Sequence, residues 1–306
     1  MDLIKDIRHK ESLAYFPLPD QIDPYMQSFL EDACRQLCEW FAKTEKIGPL
    51  PDLNCIPAIP PKISGLSTTE LLKDLQVLMD GSYHPSHPGA LAHLDPPPLT
   101  ASIVGDLICA GLNNNLLAEE LSPSLSKLER NLCKWISTRF GLPDTSGGVA
   151  ASGGSLTNLM GLVLARYKSD LLFDPSAVLF ASEDAHVSIS RALRVMGLPP
   201  DSFIPIDTDQ QGRLSINSLE REFKTAKAKG KKSFAVVATA GTTVCGAVDP
   251  LLNISQFCLS EGLWLHVDAA IGGAYALSET TKQLINGIQM ANSVTFNPQK
   301  LLGIGE

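Results

Sequence analysis

Residues 263–273 read LWLHVDAAIGG, an apolar run that ends in a carboxylate, Asp268, and passes at once into small residues and a glycine pair. Leu263–Val267 has the composition of a buried strand, and a carboxylate at the end of such a strand costs several kcal/mol unless a cation or strong donors meet it. Asp268 is therefore either a helix cap or the partner of a cationic group, and the small Ala269 and Ala270 leave room for a flat ring beside it.

Similar short apolar runs occur at Ala177–Ala181, Phe203–Ile206, Phe234–Thr239 and Ser293–Phe296. Helical periodicity fills the intervals at Leu156–Tyr167, Val187–Met196, Ile216–Lys229 and Leu251–Ser260, with Gly197 placed to stop the second of these. Strands alternating with helices predict an α/β domain with a mostly parallel sheet, whose ligands gather at the carboxyl ends of the strands.

Upstream the character differs. Tyr25–Ala42 carries Met26, Phe29, Leu30, Ala33, Leu37 and Phe41 at helical spacing. Five prolines between Ile47 and Pro61 predict an extended connector, and Ser67 with Glu70 forms a capping box opening a helix over Leu71–Met79. Pro85–Pro98 predicts a second loop, and His84, His87 and His93 in and beside it are either solvated or packed loop residues or part of a ligand-facing segment. A helix is expected from Pro123, capped by Ser122, through Leu125, Leu128, Leu132 and Trp135 to a stop at Gly141. Residues 1–80 hold too little apolar surface to fold well alone, so they are expected to pack on something else.

The chain has 306 residues, 44% of them hydrophobic, and a formal net charge of -8, which suits a globular protein without a general affinity for nucleic acid or anionic membranes. The lysines of 224–232 read as a solvated helix end. Seven cysteines at irregular spacing, with no CxxC pair and no Cys/His cluster, suggest neither a disulfide framework nor a metal site and fit a reducing cytoplasm. No signal-like N-terminus and no run of eighteen apolar residues is present, so a soluble cytoplasmic protein is expected.

Two further stretches bear chemistry. ASGGSLTNL, residues 151–159, leads a glycine pair and Ser155 into a helix, where unpaired amides and a partial positive charge suit a phosphate, although the same residues also make a good cap. NSVTFNPQKLLG, residues 292–303, runs from a strand through Asn297 and Pro298 to Lys300, followed by Leu301 and Leu302. A lysine in apolar surroundings becomes a usable imine-forming amine, whereas most lysines are merely solvated. Phosphate cradle, ring-sized slot with a carboxylate, and strand-end lysine match the three needs of pyridoxal 5'-phosphate (PLP): an anchor, a partner for the ring nitrogen, and a Schiff base. Dinucleotide binding fits poorly, because no GxGxxG follows the first strand.

Taken together, HPGALAHLDPPPLTASIVGDL, ASGGSLTNL, DAHVSISRAL, TAGTTVCGAVDP, LHVDAAIGG and VTFNPQKLLG closely resemble the group II PLP-dependent amino-acid decarboxylases, which include aromatic amino-acid, glutamate, cysteine-sulfinate and diaminobutyrate decarboxylases. The resemblance implies the large domain of the PLP-dependent transferase fold (aspartate aminotransferase-like, fold type I) over 81–306, preceded by an N-terminal helical dimerisation segment over 1–80. It implies that Lys300 carries PLP as the internal aldimine, that His186 stacks on the ring, and that Asp268 pairs with the ring nitrogen, with Ala270 beneath the ring and Thr243 nearby. Gly154 and Ser155 would contact the phosphate, assisted by Asn297, and His266 would support Asp268 from behind.

Gln299 stands where the family usually has histidine, which keeps a hydrogen-bond donor for the phosphate and removes a titratable group. The resemblance also implies a homodimer, with His87, Leu94, Asp95 and Pro96 near the substrate. It further implies a catalytic loop bearing a tyrosine proton donor and a C-terminal small domain, neither of which is among the six residues after Lys300. A sequence truncated after the PLP lysine is thus expected. The expected reaction is decarboxylation of an L-amino acid to its amine; a non-catalytic PLP-binding remnant and another PLP carbon–carbon lyase are the alternatives.

Overall fold

The computed structural model describes residues 20, 22–51, 63, 65–91 and 94–305. The chain divides into two compact units with a boundary at Pro97/Pro98.

In the first unit, α1 (Pro24–Ala42) opens on Asp23, whose side chain accepts the Tyr25 and Met26 amides. A short α2 (Thr44–Ile47) follows. In α3 (Thr68–Asp80) the expected capping box is formed, with Ser67 Oγ accepting the Glu70 amide and the Glu70 carboxylate accepting the Ser67 amide. Gln36 Nε2 donates to Leu72 O at 2.9 Å and ties α1 to α3.

For His84 the packed alternative holds. It is buried, its ring stacks on Trp40 with centroids 3.8 Å apart, and its Nε2 lies 3.0 Å from Thr44 Oγ1. Stacking and burial make it a packing residue of the helical unit rather than part of a ligand-facing loop. His87 Nδ1 accepts the Gly89 amide within a local turn. His93 lies outside the described residues.

The second unit is built on five parallel strands in the order β2-β1-β3-β4-β5: β1 (Ala177–Ser182), β2 (Phe203–Ile206), β3 (Lys232–Thr239), β4 (Trp264–Asp268) and β5 (Ser293–Thr295). All five fall within a residue or two of their sequence-based positions. Successive side chains alternate between two cores. On one face Phe180, Val236, Ala238, Leu265 and Val267 pack with Leu219 and Phe223 of α8 (Ile216–Ala228) and Leu251 and Ile254 of α9 (Leu251–Glu261). On the other face Leu179, Ala181 and Val237 meet Leu162 and Ala165 of α6 (Gly154–Lys168) and Ile189, Ala192 and Leu193 of α7 (Ser188–Val195).

Two further helices precede this sheet. The apolar α4 (Thr100–Leu112), which periodicity did not reveal, buries none of its residues. In α5 (Pro123–Arg139) the chain enters at Pro123 as expected, but Ser122 does not act as a side-chain cap; its hydroxyl is buried without a partner. No described helix is long and apolar enough to cross a membrane.

The order 2-1-3-4-5 puts the reversal of winding between β1 and β3, and the chain leaves each strand toward the same carboxyl edge. Thr239, Asp268 and Thr295 are register partners on β3, β4 and β5, so these three strands end level.

Close packing at that edge demands glycine. A Cβ on Gly272 would lie 2.4 Å from Ala240 O, and one on Gly273 would lie 2.5 Å from the Phe296 ring. Gly272→Ala should therefore destabilise the unit by about 1–3 kcal/mol, the usual cost of overpacking, seen as a lower midpoint of denaturant unfolding with an unchanged slope.

Candidate active site

The sequence-selected residues of the second unit other than His266, which lies buried within β4, gather at the carboxyl ends of the strands and at the start of α6. His186 follows β1, Thr243 follows β3, Asp268 closes β4, and beyond β5 Asn297 caps α10 (Pro298–Leu302), which carries Gln299 and Lys300. Gly154 and Ser155 open α6, and a Cβ on Gly154 would sit 3.5 Å from Ala270 Cβ and 3.7 Å from Thr295 Cγ2. Backbone proximity thus joins the glycine turn, the end of β4 and the end of β5.

The N-terminus of α6 carries no side-chain cap, and Gly153 stands at φ 117°, a conformation that favours glycine. The Gly153 carbonyl accepts the Leu156 and Thr157 amides. Among the described residues no acceptor meets the Gly154 and Ser155 amides, and the Ser155 side chain is exposed. These are the free donors that a phosphate requires.

Asp268 is buried, and each of its oxygens has a donor. Oδ1 accepts the Ala270 amide at 3.1 Å and Oδ2 accepts Asn158 Nδ2 at 2.8 Å. The carboxylate caps its own turn and receives a side-chain amide, so the cap and the partnered carboxylate are the same residue. His266 is not in contact with it by hydrogen bond; it reaches it through Asn158, whose Oδ1 lies 3.0 Å from His266 Nε2. Burial lowers the pKa of the His266 imidazole, opposed by the nearby Asp268 charge, and leaves it neutral near pH 7.

His186 is exposed, with Nδ1 accepting the Ser188 amide at 3.2 Å and lying 2.9 Å from Ser188 Oγ. Thr243 is exposed at the turn after β3, whereas its neighbour Thr242 is buried and its hydroxyl accepts the Ala247 amide. Asn297 caps α10 by accepting the Gln299 amide at 3.1 Å. Lys300 and Gln299 are half-buried, and Leu301 is 47% exposed, so the surroundings of Lys300 are less apolar than the two following leucines suggested. His87, Leu94, Asp95 and Pro96 belong to the first unit. Among the described residues no cluster of His, Cys, Asp or Glu could hold a metal ion.

Three polar residues were not singled out by sequence. Asn158 and Ser188 lie within the quoted motifs, but a polar residue inside a helix carries no sign of where it points until the sheet is assembled. Asp249 is the third, and it accepts the Leu214 and Thr239 amides at 2.7 Å each, pinning the end of β3.

The residues present fit PLP: an uncapped helix end for an anion, a buried acceptor pair for a cationic ring nitrogen, small side chains between them, and a lysine in the short helix that follows the adjacent strand. Residues 56–305 match the pyridoxal-dependent decarboxylase conserved domain. The chain is 36% identical over 219 residues to an aromatic-L-amino-acid decarboxylase of Bacillus atrophaeus, covering 72% of this chain and 46% of that protein. It is 34% identical over 285 residues to the cysteine sulfinic acid decarboxylase of Rattus norvegicus, covering 90% of this chain and 55% of that protein. The crystal structure of mouse CSAD superposes with a TM-score of 0.87 at 31% identity, covering 92% of this chain and 63% of that one. The chain belongs to the pyridoxal-dependent decarboxylase family, and its second unit has the large-domain fold of the PLP-dependent transferases. It spans about half the length of the curated relatives it matches.

Burial pushes the Asp249 carboxyl up to about 6, against the pull of its two amide donors. Its folded value thus lies above the unfolded value of about 3.9, so the stability it confers is full below the unfolded value and is lost as pH rises through about 6. The difference in unfolding free energy between wild type and Asp249→Asn should accordingly grow by up to about 3 kcal/mol on going from pH 7 to pH 4, measured by urea unfolding at each pH.

Proposed function

We propose that this chain binds PLP at the carboxyl edge of its sheet and is part of an amino-acid decarboxylase that converts an L-amino acid to its amine and carbon dioxide. The observation that carries the proposal is the buried Asp268, held as a double acceptor at a strand end against which an uncapped helix N-terminus packs. Bound PLP supplies an electron sink for a bond broken at the amino acid's Cα.

This chain's residues supply place and charge. The Gly154 and Ser155 amides and the Ser155 hydroxyl would hold the phosphate, with Gln299 and Asn297 beside it. Asp268 would face the ring nitrogen as a hydrogen-bond acceptor, Ala270 would leave room beneath the ring, and His186 would cover its other face, with Thr243 nearby. Lys300 Nζ is the amine that would hold the cofactor and later receive a proton. Which Cα bond breaks depends on which group is held perpendicular to the ring plane, and His186 would orient a carboxylate there. The substrate side chain would be read by His87, Leu94, Asp95 and Pro96.

A homodimer accompanies this reading, with residues 1–80 as a dimerisation segment. Its physical support is apolar surface on two helices: Val104, Ile108 and Leu112 of α4 are 54%, 56% and 49% exposed, and Leu128, Leu132 and Trp135 of α5 are 60%, 50% and 48% exposed. Such concentrations mark an interface. Sedimentation should give twice the 32.9 kDa chain mass, and Ile108→Asp should shift it toward monomer. A monomer at micromolar wild-type protein would count against the dimer.

PLP titrated into the protein should acquire the near-visible absorbance of a lysine-bound cofactor. Lys300→Ala should abolish that band and Asp268→Asn should weaken binding; the band surviving in Lys300→Ala would remove Lys300 from its role. With PLP bound, a panel of acidic, aromatic and diamino L-amino acids scored for carbon dioxide release separates decarboxylation from other PLP chemistry. Cofactor binding without carbon dioxide from any of them would favour a different carbon–carbon lyase or a binding remnant.

A further inference from the structure

Behind Asp268 the polar side chains form one connected chain. Trp264 Nε1 can only donate, and it donates to Ser293 Oγ at 2.8 Å. The Ser293 hydroxyl keeps its own hydrogen and a second lone pair, so it can either donate to His266 Nδ1, 2.8 Å away, or accept from it. The tautomer is therefore decided at the other ring nitrogen, Nε2, which faces Asn158 Oδ1 at 3.0 Å.

Asp268 orients the Asn158 amide, and an amide oxygen facing His266 Nε2 requires the imidazole hydrogen there. Asn158 Nδ2 lies 2.8 Å from Asp268 Oδ2 and 2.9 Å from Ser188 Oγ, so its two hydrogens have two acceptors. Reversing the amide would set its oxygen against the carboxylate. Ser188, having accepted from Asn158, turns its own hydrogen to His186 Nδ1 at 2.9 Å. That nitrogen also accepts the Ser188 backbone amide, which leaves the His186 hydrogen on Nε2. The helix is shaped for this contact: one turn beyond Asn158, a Cβ on Gly161 would lie 2.7 Å from the His266 ring.

We propose that Asn158 is the positioning residue of this site, a single amide that holds His266 in its Nε2–H form and divides its two hydrogens between Asp268 and the Ser188–His186 pair. The carboxylate meant for the ring nitrogen and the imidazole meant for the ring face are then set by one rigid group, 1% exposed in the molecule. What those two residues would meet rests on the PLP reading, whereas the hydrogen directions hold in the cofactor-free protein.

The test begins without cofactor. The chain has six histidines, and long-range proton–nitrogen correlation spectra of 15N-histidine-labelled protein, assigned by single His→Gln variants, distinguish the two tautomers. His266 and His186 should both be in the Nε2–H form; either one in the Nδ1–H form overturns the proposal. Ser293→Ala keeps Asn158 and should leave His266 in the Nε2–H form, so a switch in that variant would make Ser293 the determinant instead. Asn158→Leu should lose the His266 Nε2–H form while His186 keeps its own through the Ser188 amide. Its PLP dissociation constant should rise about tenfold or more, the scale of leaving a buried acceptor unmet. Folded Asn158→Leu with wild-type PLP affinity overturns the proposal, and if that variant does not fold, the wild-type and Ser293→Ala spectra still decide it. Wild-type protein that shows both tautomers and yet takes up no PLP would instead sink the cofactor reading and leave the relay standing.

Discussion

Asp268 ends a strand buried along most of its length, and a carboxylate in that position has lost most of its water. Its stability there depends on donors that the fold must deliver: the Ala270 amide from the following turn and the Asn158 amide from the helix packed across the sheet. Leaving either oxygen without its donor would cost on the order of 1–3 kcal/mol or more, since the group is charged. The approach of α6 to β4 is therefore constrained by chemistry as well as by packing. Glycine at 161 admits the His266 ring beneath the helix, and glycine at 154 brings the helix N-terminus close to Ala270.

The same constraint explains why the anion-binding end of α6 and the acceptor pair of Asp268 are neighbours. A helix that must present Asn158 to the end of β4 begins one turn earlier, at Gly154, and so places its uncapped amides at the carboxyl edge of the sheet. Parallel topology supplies the rest. Each strand of a parallel sheet delivers its following loop to one edge, and His186, Thr243, Asp268 and Lys300 arrive there from four different strands. Asp249 fastens that edge from below by taking the amides of Thr239 and Leu214.

Much of this was legible in the sequence for a simple reason. Buried parallel strands must be apolar on both faces, so β1, β3 and β4 stand out as continuous runs whatever surrounds them, and glycines at forced turns mark the punctuation. The helix α4 escaped for the opposite reason: it is apolar nearly all round and exposed in the chain by itself, so it shows no periodic face. His84 stayed open because a histidine beside prolines looks like a loop residue, while its partner Trp40 is 44 positions away in sequence.

By themselves, the residues determined the alternation of strands and helices from α6 onward, the glycine turn ahead of α6, the carboxylate at the end of β4 and the lysine after β5, because each is written locally in hydrophobic pattern and residue type. Only the tertiary structure decided which polar groups share their hydrogens. Asn158, Ser188, His266, Asp268 and Ser293 come from four separate stretches of chain, with 108 positions between Asn158 and His266, and a hydrogen bond is a statement about distance and direction that one-dimensional spacing does not contain. The chain thus carries the chemistry of the site in its motifs, and the sheet sets the geometry that makes those motifs one site.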